Sequence, residues 1–69
     1  MNTQQIVELA AKHLSTPCAM KSSAELCYSD AVRMLANGEL TAARMWALKS
    51  LDYSIGILHP DHRLAVGGA

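Results

Sequence analysis

From Glu39 to Leu58, twenty consecutive residues put apolar side chains around more of a helix than one neighbour can cover. Step about 100° per residue from Ala47 and one broad face collects Ala43, Ser54, Ala47, Leu40, Leu58, Leu51, Ile55 and Leu48. Trp46, Tyr53, Ile57 and Ser50 extend it on one side. Asp52, Met45, Gly56 and Lys49 fill the remaining wedge, and Arg44 intrudes into the arc as a charge. The arc spans roughly 220°, about twice the stripe of a one-sided surface helix. The expectation is a helix packed on both flanks, with the second flank supplied by another chain.

Sixty-nine residues are one domain. A domain of this size buries only about 60% of its unfolded surface and is marginal alone. Small scaffolds commonly add a disulfide, a metal or a partner subunit. Six basic and six acidic residues leave no net charge. A basic footprint for nucleic acid is therefore missing, as is a polybasic membrane anchor. The N-terminal MNTQQIVELAAKH has no basic leader or long apolar core, so no signal peptide is expected. No apolar run approaches the ~18 residues of a membrane span. A cytoplasmic chain follows as the expectation, with Cys18 and Cys27 as free thiols.

Taken in order, Asn2 and Gln5 have the spacing of a capping box. Ile6, Leu9, Ala10, His13 and Leu14 follow at helical spacing, which predicts a short amphipathic helix over 3–14. It is too short to stand alone and must dock. Thr16-Pro17 breaks it. Two starts compete for the next helix: Thr16 as cap with Pro17 first in the helix, or Ser22 as cap with Glu25 closing a box. The second is preferred. Residues 17–21 are then a loop, with Met20 plugged inward before a helix over 23–37.

That helix carries Ala24, Cys27, Tyr28, Ala31, Val32, Met34 and Leu35 on one face. Ser22, Ser29, Asp30 and Arg33 lie opposite, where Leu26 is an apolar residue without a partner. Asn37-Gly38 stops the helix, since glycine supplies the left-handed residue of a C-terminal cap. Glu39 then starts the helix over 39–58, where its charge suits the dipole. So short a link makes the two helices an antiparallel hairpin. Its core pairs Ala24, Cys27, Ala31 and Leu35 with Ala43, Ala47, Leu51 and Leu58. Alanines permit close approach but bury little area each. Pro60 ends the second helix, and residues 64–69 read as a flexible tail.

Three short motifs have a chemical reading. His59-Pro60-Asp61 resembles the loop of the J-domain co-chaperones, which would imply stimulation of a partner ATPase. The helix before it offers only Arg44 and Lys49, where that family is strongly basic, and eight residues after Asp61 leave no room for its next helix. The run AVRMLANGELTAARMWALKSL resembles one tetratricopeptide unit, but a groove needs about three. Cys18, Cys27, His59 and His62 have the wrong spacing for a structural zinc site, so no metal and no cofactor are expected. Neither a phosphate loop nor a paired-carboxylate or nucleophile–base pattern occurs, and the chain is read as a non-enzyme. A small helix-turn-helix DNA-binding module is the remaining alternative, opposed by the neutral charge.

The segments SSA-x-LC at Ser22–Cys27, Asp30-Ala31, NGEL at Asn37–Leu40 and ALKSLDYSIGILHPD at Ala47–Asp61 belong together. Through them about two thirds of the chain resembles a family of small quorum-sensing anti-activators from temperate phages of Pseudomonas and related bacteria. The resemblance implies a helical-hairpin homodimer working in the host bacterial cytoplasm. It further implies two targets: a LuxR-type quorum-sensing transcription activator, kept from DNA, and the type IV pilus assembly ATPase of the host.

From the residues themselves, Trp46, Tyr53, Tyr28, Arg33 and Arg44 are the candidate partner-binding residues, because Trp, Tyr and Arg dominate protein–protein hot spots. Each has a plainer reading, as core packing for the aromatics and intrachain pairing for the arginines. Leu48, Leu51, Ile55, Leu58 and Leu26 are the candidate core or dimer-seam residues, with Leu48 and Ile55 assigned to the seam or to the N-terminal helix. The expected fold is all-α: an antiparallel hairpin with a short N-terminal helix, dimerising into a four-helix arrangement.

Overall fold

The computed structural model describes residues 1–18 and 20–55. They form three α-helices, α1 (Thr3–Leu14), α2 (Lys21–Ala36) and α3 (Leu40–Ile55), and no strand occurs among the described residues. α2 and α3 make the hairpin, and α1 packs mainly on α3. The all-α fold expected from the pattern is the fold observed.

α1 has the boundaries its sequence predicts. Asn2 Oδ1 accepts from the Gln5 backbone N–H at 2.8 Å, and Gln5 Oε1 accepts from the Asn2 N–H at 2.9 Å. Two N–H groups that the first turn would leave unpaired are thus satisfied. At the other end the Ser15 and Thr16 hydroxyls donate to the Lys12 and His13 carbonyls, at 2.6 and 2.8 Å. Between these caps Ile6, Val7 and Ala10 are buried.

The start of α2 departs from expectation. The helix begins at Lys21, and Ser22 lies inside its first turn rather than capping it. Met20 occupies the cap position without a side-chain hydrogen bond. Its backbone makes the connection instead: its N–H donates to the Tyr53 carbonyl at 3.1 Å, and its carbonyl accepts from Ala24 at 3.0 Å. The Tyr53 carbonyl of α3 thereby ties down the start of α2. This tertiary bond overrides the local capping signal. The Met20 side chain is correspondingly exposed, not plugged inward.

The turn between α2 and α3 follows its sequence closely. Gly38 adopts φ +77°. Its N–H donates to the Leu35 carbonyl at 3.1 Å, and the Glu39 N–H donates to Met34 at 2.9 Å. This pair of bonds is the Schellman closure that a left-handed glycine permits. Glu39 then accepts from the Ala43 N–H at 2.9 Å, so it caps α3 rather than joining it. The helix starts at Leu40, one residue later than read from sequence, and is described as far as Ile55. The expected continuation to Leu58 and the tail at 64–69 lie outside the described residues.

α3 is the central element, as its broad apolar arc demands. One flank meets α2. There Ala24, Cys27 and Ala31 face Ala43, Ala47 and Ser50, all buried. The other flank meets α1. Ile6, Val7 and Ala10 join Leu48, Leu51, Ala47 and Ala31 in one apolar cluster. Leu48 and Leu51 are wholly buried. The second flank of α3 is therefore covered by the N-terminal helix of the same chain, which corrects the expectation that another chain supplies it. Two further placements differ from the face pattern. Val32 and Leu40, expected on covered faces, are exposed.

Candidate functional site: a groove on the outer side of α3

With α1 and α2 on two flanks, the third side of α3 remains open among the described residues. Ala42, Met45, Trp46 and Lys49 line a shallow depression of about 150 Å³ there. Ala42 and Met45 also belong to a second, more open depression with Gly38, Glu39, Leu40 and Thr41. Together the two form one groove running from Glu39 to Lys49 along the helix. Residues three and four apart share a helix face, which is why positions 42, 45, 46 and 49 converge.

Trp46 is half-buried, its inner edge packed on the core cluster. Lys49 Nζ stands 5.4 Å from the centroid of the Trp46 ring, within cation–π range. Met45 and Leu40 are exposed at 45% and 55%, so the groove walls present apolar surface to solvent. Its ends are charged, with Glu39 at one and Lys49 at the other.

The remaining sequence-predicted site residues are dispersed. Tyr53 is half-buried on the same flank of α3 as Trp46, two helical turns on, and its carbonyl receives Met20. Tyr28 is half-buried against the core cluster. Arg33 pairs with Asp30 at 2.6 Å on the outer side of α2. Arg44 donates to the Met1 carbonyl at 2.8 Å, on the α1 side of α3. Neither arginine frames Trp46: residues two apart on a helix point about 200° apart. Ile55 is half-buried. Leu26 is 70% exposed, in keeping with its place on the polar side of α2. Leu58 lies outside the described residues, as does His59-Pro60-Asp61.

Met45, Ala42 and Leu40 are groove residues that the sequence reading did not single out. For Met45 a signal is present: with Lys49 it falls in the wedge outside the apolar arc. Ser50 was also underrated. It is fully buried, and its hydroxyl donates to the Ala24 carbonyl of α2 at 2.8 Å, a bond that no periodicity reveals. Ser54 is buried too and returns its hydroxyl to Leu51 at 3.1 Å.

Both cysteines are free thiols. Cys18 is half-buried and donates to the His13 and Thr16 carbonyls. Burial pushes the Cys27 thiol above its ordinary value of 9.0; Lys49 opposes that rise and Asp30 adds to it. Among the described residues no three His, Cys, Asp or Glu side chains come together as a metal site would require. None of the helices is long and apolar enough to cross a membrane, among the same residues. No protein-family model, curated protein or solved structure matches the chain.

Proposed function

We propose that this chain is an interaction protein, phage-encoded and homodimeric, that inhibits host regulators by occupying them. The proposed targets are a LuxR-type quorum-sensing transcription activator, which it would hold off DNA, and the type IV pilus assembly ATPase. The targets rest on the resemblance of the Ser22–Asp61 segments to the phage anti-activators. The mode of action rests on one observation: after the helices have packed, apolar side chains remain exposed on two separate sides of the fold. One is the α3 groove with Met45, Leu40 and Trp46. The other is Leu26 on α2, beside Arg33. The groove suits a protein that works by binding, since contiguous exposed apolar patches mark interaction sites, and Leu26 offers a single apolar contact on a separate side.

The test uses purified components. The chain is mixed with the activator and, separately, with the ATPase, and complex formation is measured by co-elution. Release of the activator from its DNA site is followed by mobility shift. Stoichiometric complexes and DNA release are expected. Leu26→Asp and Trp46→Ala are each expected to reduce at least one of the two activities. Absence of binding to both targets overturns the reading.

A further inference from the structure

The α3 groove has a pattern that fits a reversed copy of itself. Its walls are apolar, its ends carry opposite charges, and neither charged end makes an ion pair among the described residues: the pair recorded there joins Arg33 and Asp30. Lys49 Nζ stands over the Trp46 ring and acts on the buried Cys27 thiol, but no carboxylate is paired with it among the described residues. Glu39 is exposed.

Two spacings coincide. Glu39 and Lys49 stand ten residues apart, or about 15 Å along a helix. Ala42 and Trp46 stand four apart. Both pairs are centred on position 44. If a second α3 crosses the first antiparallel, with a two-fold axis at that height, Lys49 of each copy lies opposite Glu39 of the other. In the same register Trp46, the bulkiest groove residue, lies opposite the small Ala42. Met45 and its symmetry mate sit beside the axis and fill the middle. A two-fold interface must be self-complementary in this way, each residue meeting the counterpart that meets it. A parallel copy would set Lys49 beside Lys49 and Glu39 beside Glu39.

We propose that the occupant of this groove is a second copy of the chain, docked α3 to α3 in antiparallel register about position 44. The proposal rests on the homodimer reading above and assigns its seam. Leu26 and Arg33 on α2 then stay outside the seam and are left for a target. The third side of α3 is closed by the same helix of the partner, so the central helix of each copy becomes covered all round.

The experiment measures the dimer dissociation constant of the full chain by sedimentation equilibrium, with helical circular dichroism as the control for folding. Wild type is compared with Lys49→Glu, Glu39→Lys, the double exchange and Ala42→Trp. By symmetry each charge reversal turns two attractive pairs into two repulsive ones. Exposed pairs are individually weak, so about a tenfold weakening is expected for each single variant. The double exchange restores the dimer to near wild type. Ala42→Trp, which sets indole against indole, removes the dimer at concentrations where wild type is paired. If Ala42→Trp fails to fold, the charge cycle still decides. A dimer indifferent to all four variants uses another face, which overturns the assigned seam and leaves the homodimer standing. Wild type that stays monomeric up to millimolar concentration overturns both.

Discussion

α3 makes two seams within its own chain, and they are built from different material. Against α1 the contact is aliphatic: Ile6 and Val7 meet a side of α3 that carries Leu48 and Leu51. Against α2 the buried side chains are small, Ala24, Cys27 and Ala31 with Ala43, Ala47 and Ser50, and the larger Tyr28 and Leu35 pack only partly buried at the margin. The aliphatic seam gains its stability from apolar area, at about 25 cal/mol per Å². The small seam gains its stability from close approach, and the Ser50 bond to the Ala24 carbonyl shows two backbones near enough for a short hydroxyl to bridge them. A short, isolated α1 would not persist, so it needs large side chains to hold it. The α2–α3 hairpin is already held by its turn and can tolerate a seam with little area. The two seams should therefore fail in opposite ways.

The largest effect is expected from removing volume at the α1 seam. Leu48→Ala should lower stability by about 2–5 kcal/mol, the range for emptying a buried leucine site. Hydrogen exchange should show α1 released before α2 and α3 open. An unfolding midpoint in urea unchanged from wild type would contradict the aliphatic seam. Next is added volume at the small seam. Ala24→Leu should cost about 1–3 kcal/mol by overpacking, while Leu48→Met, a change that keeps volume, should cost less than about 1.5 kcal/mol. Equal tolerance of both would show that the hairpin is not closely packed.

The smallest effect concerns Cys27 in the small seam. Burial raises its thiol above the ordinary value of 9.0, so the folded state holds that proton more tightly than the unfolded chain does. The resulting stability is fully present below about pH 9 and is lost as pH climbs from there through the folded value. In a Cys18→Ser background, stability should therefore fall more steeply above pH 9 than in the same background carrying Cys27→Ala. Identical slopes would show that the thiol is not desolvated.

Much of this fold could be read from the residues, for reasons that differ by element. The capping box at Asn2–Gln5 and the Asn37-Gly38 stop are local chemistry, complete within a few residues, and both came out as spelled. The breadth of the apolar arc on α3 correctly required cover on two flanks. Which element supplies the second flank is not legible in the arc itself: Leu48 suits a partner chain or α1 equally, and only the docking of Ile6, Val7 and Ala10 decides for α1. The start of α2 was misread because Ser22 and Glu25 spell a cap, while the deciding bond comes from Tyr53, more than thirty residues away. The groove was half legible. Trp46 stands out by its residue type, whereas Met45 and Lys49 fall in the wedge outside the apolar arc. Which sides of a helix remain open depends on where the other helices end, and that is a tertiary fact.

α3 is covered on two sides by α1 and α2, and the proposal that matters most is that its third side takes a second copy. Trp46 is the sole tryptophan of the chain and stands on that third side, so its fluorescence reports the groove directly. Emission should shift to shorter wavelength as the protein is concentrated and dimer replaces monomer, while helical circular dichroism stays constant. Ala42→Trp is unsuited to this readout, so Lys49→Glu serves as the control, with its transition displaced to higher concentration. An emission maximum that stays fixed across a concentration range in which sedimentation shows dimer forming would contradict the account.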